Sequence, residues 1–387
     1  MNTKNNIFLH KHICLLEDHY NPLGIVRSLG EAGIKPIVLL CCSHKPHLVN
    51  KSKYIGELHT FSSINDGYDF LITHYGKEEL KPFLYNGGDS IALLLDNHYE
   101  ELKDNFYFSN GRGGLKKLLN KYEITLLAKD CGVDVPREAY LKKGDLPNNL
   151  RYPIITKAST SAMGGNWKAD SFVCNTPEEL QEAYKKIKSK NVLVQEFVNK
   201  ENEYCVDGIS INGGEEVFMP YAASYLRLPK DNYGGAMWLY PINNKELDVK
   251  IKKIIRKSNY TGIFCIEFLM GEDGKYYFLE VNFRNSGWSY AYTKNGFNLL
   301  TNWAKATLEN SIDVSDFTPN PHFTAIAEVD DFQKFVYTKQ IGILKWIREL
   351  KNADCLFLWN KEDPRPGNMI IIKMIFSQLL RNLGLKK

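Results

Sequence analysis

The sequence predicts an α/β protein that begins with a parallel sheet and continues into a part of mixed α+β character. Residues 7–40 read as strand, turn, helix and strand, the order of a βαβ unit whose parallel strands are covered by helices. A similar strand, glycine-containing turn and helix follow at residues 82–106. Later in the chain, an Asp-Gly pair between two hydrophobic runs predicts an antiparallel hairpin.

The composition excludes several classes of protein. The 387 residues allow two or three domains, and the 44% hydrophobic and 24% charged shares are typical of globular chains. A net charge of +4 is too small to indicate a nucleic-acid partner. The 8 cysteines form no C-x-x-C pair, which argues against a disulfide framework or a zinc site and fits a reducing cytosol. The sequence has no apolar run of about 18 residues and no signal-peptide core, so we expect a cytoplasmic protein.

The first part of the chain carries two turns of interest. The first contains one early glycine, Gly24, and no G-x-G-x-x-G, so a dinucleotide fingerprint is absent. We expect the helix after it to end at Gly33 as its C-cap. The strand predicted near residues 82–86 ends at the letters NGGD, where Asp89 has two possible roles. It caps the next helix, or it contacts a ligand at the carboxyl end of the strand.

The middle of the chain predicts one helix within residues 116–139 that ends near Gly132, and then a strand that ends in Lys157. A segment rich in Ser and Gly follows from Ser159 onward. Two further helices are expected, one capped by Thr176 with Glu179 at the capping-box position and one over residues 244–260.

The hairpin segment, residues 264–287, reads FCIEFLMGEDGKYYFLEVNFRNSG. A two-residue turn at Asp273-Gly274 would place Glu267 directly opposite Glu280. Like charges across a ladder are destabilising unless a cation lies between them. Two carboxylates with the amide of Asn282 suit Mg²⁺. The alternative is a solvent-facing polar side of the sheet, because one register slip would separate the glutamates.

This turn also predicts which side chains of the hairpin form the core. Side chains alternate between the two faces of a strand, so the two-residue turn sorts them into one apolar and one polar face. The apolar face is expected to contain the following side chains: Phe264, Ile266, Phe268, Met270, Tyr277, Leu279, Val281 and Phe283.

Other features would suit a ligand that brings phosphates to such a cation. Lys157 on its strand can neutralise phosphate charge. The Ser/Gly segment can offer backbone N–H groups and hydroxyls to phosphate oxygens. The letters QEFV, residues 195–198, form a strand end whose main chain can pair with a purine edge.

In this order and spacing, these features resemble the ATP-grasp family over residues 10–310. Within it the chain looks most like the carboxylate–amine ligases related to D-aspartate ligase, on the letters NGGDSIALLLDNHYEELKDNF, LLNKYEITLLAKDCGVDVP, YPIITKAS, VLVQEFV and the hairpin. The tail letters FLWNKEDPRP are similar as well. The resemblance implies a parallel-sheet pre-ATP-grasp domain followed by a two-subdomain ATP-grasp fold. The expected boundaries are 1–115, 116–190, 191–311 and a C-terminal extension over 312–387.

The resemblance also implies roles for individual residues. Arg284 would steady the transferring phosphoryl group, and Lys157 would join it in catalysis. Glu203 would bind the ribose, with Glu201 as its rival. The metal ligands would be Glu267, Glu280 and Asn282. The remaining nucleotide-binding residues would be Lys121, Lys157, Ser159, Ser161, Gly164, Gly165, Glu196, Phe197 and Val198.

Two features distinguish this chain from the family pattern. Phe283 stands where the family usually has proline after the asparagine, and Asn285-Ser286-Gly287 replaces the D-aspartate ligase sequence. That loop is expected to shape the substrate site. Arg227 has two readings, a clamp for a substrate carboxylate or an ordinary surface arginine.

The implied activity is ATP-dependent joining of a carboxylate to an amine through an acyl phosphate, with ATP and two Mg²⁺ ions, or Mn²⁺ in their place. Small-molecule substrates are expected, one of them an amino acid, on a monomer or homodimer. The acceptor would be a cell-envelope precursor. The alternatives are a ligase for a small dipeptide or secondary metabolite and a nucleotide-binding sensor without turnover.

The chain from residue 312 onward is less regular. Residues 362–368, EDPRPGN, predict a turn, and residues 369–387 predict a basic amphipathic helix. Two roles are open for residues 367–387: peripheral contact with the inner face of the membrane or a lipid-linked acceptor, or docking on the domain.

Overall fold

The structure is a computed structural model that describes residues 6–46, 48–158, 171–228 and 234–370. The described residues form three sheets of five, four and eight strands. Within the described ranges, no helix is both long and apolar enough to cross a bilayer. All 8 cysteines are free thiols.

The first sheet is parallel and has the order β3-β2-β1-β4-β5, which confirms the predicted βαβ opening. Its strands are β1 His12–Leu16, β2 Ile37–Cys41, β3 Glu57–Phe61, β4 Phe83–Asn86 and β5 Tyr107–Phe108. Its helices are α1 Tyr20–Glu31, α2 Ile64–Tyr75, α3 Asp89–Asn97 and α4 Tyr99–Leu102, with 3₁₀ turns at Ile7–Leu9 and Val49–Lys51. Gly33 lies one residue past the C-cap of α1 with φ +86°, where a left-handed conformation favours glycine.

The crevice at the carboxyl ends of β1 and β4 is the place where this sheet can bind a ligand. The strand order reverses between these two neighbours, and ligands of open α/β sheets bind at such a switch point. The loops that follow β1 and β4 therefore bring residues 17–20 and 87–89 to one site.

The second sheet is small and antiparallel, in the order β6-β9-β7-β8. Its elements are α5 Leu115–Leu118, α6 Lys121–Asp130, β6 Glu138–Lys142, β7 Ile154–Ala158, β8 Val173–Cys174, α7 Pro177–Lys186 and β9 Asn191–Glu196. The helix predicted within 116–139 ends near Gly132 as expected, because α6 ends at Asp130 and Gly132 follows with φ +84°. Its continuity is wrong, because Asn120 caps a new helix by accepting from the Tyr122 N–H. Thr176 caps α7 as predicted, accepting from the Glu179 N–H at 3.2 Å.

The third sheet has the order β15-β14-β10-β12-β13-β16-β17, with β11 paired to β10. Its strands are β10 Lys200–Ile211, β11 Glu216–Phe218, β12 Ala222–Tyr225, β13 Ala236–Tyr240, β14 Gly262–Gly271, β15 Tyr276–Asn282, β16 Phe323–Ile326 and β17 Cys355–Leu356. Its helices are α8 Lys245–Lys257, α9 Ser289–Lys294, α10 Leu299–Glu309, α11 Glu328–Asp331 and α12 Ile343–Asn352, with a π-helical turn at Phe332–Val336. Two strands that follow residue 312 thus complete this sheet.

The C-terminal residues fasten the first domain to the third sheet. Arg27 of α1 is fully buried and donates from Nε to Asp363 at 3.0 Å and from its terminal nitrogens to the carbonyls of Phe357 and Leu358. The turn expected over 362–368 is wrong from Pro364 onward, where a helix begins that the structure describes as far as residue 370. Proline suits this first helical position because its missing N–H needs no partner there.

Candidate functional site

The hairpin turn differs from the prediction. Gly271 donates to the Lys275 carbonyl at 2.9 Å, so three residues form the loop between these partners. Gly274 has φ +76°, the left-handed position at the end of such a loop. The predicted two-residue turn is therefore wrong.

A bulge further along the hairpin restores the predicted pairing of the two glutamates. Phe268 pairs with Phe278, but Glu267 pairs with Glu280, so Leu279 is an extra residue in β15. The predicted pairing of Glu267 with Glu280 is therefore confirmed, although neither the three-residue loop nor the bulge at Leu279 was predicted.

The bulge also decides which side chains enter the core. The core side of β14 is confirmed, because Phe264, Ile266 and Phe268 are buried and Met270 packs against the same cluster. On β15 the prediction holds for Val281 and Phe283 but is wrong for Tyr277 and Leu279, because Phe278 and Tyr276 pack into the core instead.

The amide of Asn282 connects the two opposed carboxylates. Its Nδ2 donates to Glu267 Oε1 at 3.2 Å and to Glu280 Oε1 at 3.3 Å. Its Oδ1 accepts from Arg284 at 3.0 Å. The three residues predicted as metal ligands therefore lie together, at the end of β15 where the guanidinium of Arg284 is also held.

The charge at this cluster favours a cation. Burial, and then the neighbouring charge of Glu280, raise the pKa of Glu267 well above its usual range. Burial likewise raises the pKa of Glu203. Both shifts show that burial makes the negative form of these carboxyls costly, and a bound cation would offset that cost. Carboxylate and amide oxygens are the hard ligands that Mg²⁺ uses, so the donor set fits this ion once the Asn282 amide turns to present Oδ1 in place of Nδ2.

A second group of possible ligands lies on the same face of the sheet. Glu203 and Cys205 alternate along β10, and their ligand atoms and those of Glu267 lie within 4.8 Å of one another. Glu203 is buried and forms an ion pair with Lys200, whereas Glu201 is exposed. The structure therefore brings Glu203, and not Glu201, to the glutamate cluster. Burial raises the pKa of Cys205 well above its usual range, so this thiol is protonated at neutral pH.

The two predicted lysines converge on the same cluster. Lys121 is the first residue of α6, and its Nζ lies 3.9 Å from Glu280 Oε2. Burial, and then the charge of Lys121, lower the pKa of Lys157 to about 8. The two lysine ammonium groups can bind phosphate oxygens, and the carboxylate of Glu280 beside them can bind a metal ion.

Two backbone N–H groups of the predicted adenine hinge already form hydrogen bonds within the protein. The Glu196 N–H donates to Arg137 at 2.8 Å, and the Phe197 N–H donates to Pro153 at 2.9 Å. Both donors are therefore bound within the protein, and the Glu196 carboxylate accepts from the Arg151 N–H. Among the described residues of the hinge, Val198 remains the candidate whose N–H can meet a purine.

Arg284 joins the hairpin to the first domain. It donates to both carboxylate oxygens of Asp89, at 2.7 Å from Nε and 3.3 Å from a terminal nitrogen. Asp89 is the first residue of α3, and Gly88 occupies the N-cap position, so the capping reading of Asp89 is wrong. The carboxylate instead positions the arginine at the β1/β4 crevice.

The buried carboxylate of Asp207, which was not predicted from the sequence, positions the loop after Arg284. Asp207 accepts from the hydroxyls of Ser286 and Ser289, each at 2.6 Å, and burial raises its pKa. Asn285 Nδ2 donates to Asn21 Oδ1 at 2.9 Å, and the Asn285 carbonyl accepts from Asn21 Nδ2 at 3.0 Å. The alternation of Glu203, Cys205 and Asp207 along one strand was the signal that could have placed Asp207 on the same face.

Three further expectations have different outcomes. The carboxylate-clamp reading of Arg227 is wrong, because this side chain pairs with Asp331 and with Glu349 at 2.6 Å. At 17% exposure it is not an ordinary surface arginine either. The segment with the predicted phosphate-binding residues Ser159, Ser161, Gly164 and Gly165 lies outside the described residues.

Comparison with known proteins supports the resemblance to ATP-grasp ligases. A family model described as the ATP-grasp domain matches residues 126–296. The chain is 24% identical over 316 residues to a D-aspartate ligase of Enterococcus faecium (strain Aus0004), covering 74% of each chain.

Two solved structures share the fold. An L-amino acid ligase from Bacillus licheniformis superposes with a TM-score of 0.63 at 14% identity, over 81% of this chain and 78% of that one. An N5-carboxyaminoimidazole synthetase from Staphylococcus aureus complexed with ADP gives a TM-score of 0.64 at 14% identity, over 88% of each chain. The match over residues 126–296 confirms the predicted resemblance to the ATP-grasp family and, with these relatives, the predicted class of ATP-dependent ligase.

Proposed function

We propose that this protein joins a carboxylate to an amine at the expense of ATP, through an acyl phosphate. The observation that carries the proposal is the arrangement of Glu267, Glu280 and Asn282 beside Lys121 and Lys157, with Arg284 next along the chain. Charges of both signs converge there, as phosphoryl transfer requires. The resemblance to two amino-acid ligases supports the reaction class.

The proposed roles follow from the charges and positions of the side chains. Glu267, Glu280 and Asn282 would hold Mg²⁺, which neutralises phosphate charge as it develops. Lys121 and Lys157 would hold the phosphates in line with the attacking carboxylate. Glu203 would accept from the ribose hydroxyls, and the Val198 N–H would meet the adenine.

The chemistry proceeds in two balanced steps. A carboxylate oxygen of the first substrate attacks the γ-phosphorus of ATP, and ADP leaves. The amine then attacks the acyl carbon, phosphate leaves with the former carboxylate oxygen, and the nitrogen loses a proton to form the amide. Arg284 would stabilise the negative charge of the acyl phosphate from its position at the crevice.

The substrates form the finer part of the proposal. One substrate is an amino acid, as in the two named ligases. The acceptor is a cell-envelope precursor. A ligase for a small soluble dipeptide remains the second candidate, and it is favoured by the fold shared with the L-amino acid ligase.

The test is phosphate release from Mg-ATP against a panel of D- and L-amino acids, each alone, in pairs and with envelope-precursor extracts. We expect release that depends on one amino acid and that is lost in Glu280→Gln. Glu272→Gln is the matched control, since Glu272 is exposed in the loop of the same hairpin. Nucleotide binding without release under every condition would instead indicate a sensor.

A further inference from the structure

The helix α12 has an apolar face that the described protein does not cover. It is a ten-residue helix without a buried residue. Leu344 is 78% exposed, and Ile343 and Ile347 are 46% and 40% exposed. At 3.6 residues per turn these three side chains lie on one side of the helix. A helix whose apolar side is left open indicates an interaction surface.

The inner side of the same helix borders an apolar groove of about 440 Å³. Trp346 and Leu350 of α12 line it together with Phe332, Leu356 and Leu358. Trp359, also in this lining, is 46% exposed. The open side of α12 is thus continuous with a groove that accepts apolar chains and carries aromatic side chains at its edge.

The exposed charges on this helix are basic. Lys345, Arg348 and Lys351 are exposed. At 3.6 residues per turn Arg348 and Lys351 lie beside the apolar residues, and Lys345 lies on the opposite side of the helix. The one acid of α12, Glu349, accepts from Arg227 at 2.6 Å and also lies 3.9 Å from Lys345, so it is paired within the protein. Asp354, just past the helix, accepts from the N–H and the hydroxyl of Thr324.

The basic charge of α12 indicates which kind of partner can cover its apolar face. A second copy of the chain would bring the same three cations against them, which costs energy. Residues 371–387 of this chain contain four basic and no acidic side chains, so they are not electrostatically complementary either. A complementary partner combines negative charge with an apolar interior, and an anionic lipid surface does so.

We propose that α12 and its groove form a docking surface for anionic membranes, with Leu344 and Ile347 inserted below the headgroups. The aromatic residues Trp346 and Trp359 suit this depth, because amphipathic rings favour the membrane–water interface. The surface goes beyond the proposed ligase function and does not depend on it. Gly367 and Ile370 also line the groove, so the surface adjoins residues 367–387, for which membrane contact was predicted from the sequence.

The test is co-sedimentation of the full chain with vesicles of phosphatidylglycerol and phosphatidylcholine mixed in equal parts, against vesicles of phosphatidylcholine alone. We expect at least tenfold tighter binding to the anionic vesicles. Leu344→Glu should weaken that binding at least tenfold. The matched control Val249→Glu places the same charge at an apolar residue of α8 that is 64% exposed, and should change nothing.

A second variant tests the electrostatic part. Lys351→Glu leaves the apolar residues in place, so it should weaken binding to anionic vesicles severalfold and leave binding to neutral vesicles unchanged. Equal binding by wild type and Leu344→Glu, or no binding of wild type to anionic vesicles, would overturn the proposal. So would loss of a dimer in Leu344→Glu without vesicle binding, or selective capture of an acidic protein. None of these outcomes depends on turnover.

Discussion

Replacement of Glu267 by glutamine is expected to stabilise the metal-free protein while it abolishes catalysis. The Glu267 and Glu280 oxygens that share the Asn282 amide lie within about 6.5 Å of each other, because one nitrogen bonds both. Two unit charges about 6 Å apart repel by about 3 kcal/mol at an effective dielectric constant of 20. Lys121, Arg284 and the amide offset part of this repulsion, so we expect a gain of about 1–3 kcal/mol in the free energy of unfolding.

The pH dependence of this gain has a fixed sign. Burial and Glu280 raise the pKa of Glu267 in the folded state. The folded protein therefore binds more protons than the unfolded chain between the unfolded and the folded pKa. Its stability falls as the pH rises through that window. The gain in the free energy of unfolding from Glu267→Gln should be absent near pH 4. It should grow as the pH rises above the pKa of Glu267 in the unfolded chain, and reach its full value above the pKa in the folded protein.

The assay is thermal and urea unfolding in the presence of a metal chelator, repeated with Mg-ATP. Without metal, Glu267→Gln should unfold at a higher temperature than wild type, and the exposed control Glu272→Gln should stay within about 0.5 kcal/mol. Mg-ATP should stabilise wild type by ligand linkage and leave the variant unchanged. A Glu267→Gln variant that is no more stable than wild type without metal, or that Mg-ATP stabilises equally, would contradict the role assigned to Glu267.

Three more outcomes are expected. Because the pKa of Lys157 is lowered to about 8, ATP affinity measured by calorimetry should fall up to tenfold per pH unit above pH 8, and a flat profile to pH 9.5 would contradict this role. Arg27→Met leaves Asp363 as a buried unpaired charge, so urea unfolding should show a loss of about 3–5 kcal/mol, and a loss under 1 kcal/mol would contradict it. Asp89→Asn releases one partner of Arg284, so kcat should fall at least tenfold at unchanged melting temperature, whereas equal kcat would show that the pair is structural.

The hairpin shows how far turn chemistry can carry a prediction. The Asp-Gly signal located the turn and the two glutamates, because hydrophobic alternation on both sides restricts the register. It did not distinguish a two-residue from a three-residue loop. Nor did it show the bulge at Leu279, although the buried residues of β15 change parity between Phe278 and Val281. That change of parity is the local sign of an inserted residue.

Contacts between distant parts of the chain were beyond the sequence. Asp89 and Arg284 are separated by 195 residues, and Arg27 and Asp363 by 336. No local pattern couples such pairs, because they depend on how whole domains pack. The candidate site residues were named from the sequence, whereas contacts that depend on domain docking, such as the pairing of Asp89 with Arg284, had to come from the structure.

The stoichiometry of the reaction is the decisive measurement of ATP-dependent amide formation by this protein. With the amino acid that supports phosphate release and its acceptor, ADP, inorganic phosphate and the amide product would be quantified by chromatography and mass spectrometry. We expect equal amounts of all three from wild type and none from Glu280→Gln. Formation of AMP and pyrophosphate, or of ADP and phosphate without an amide, would contradict it.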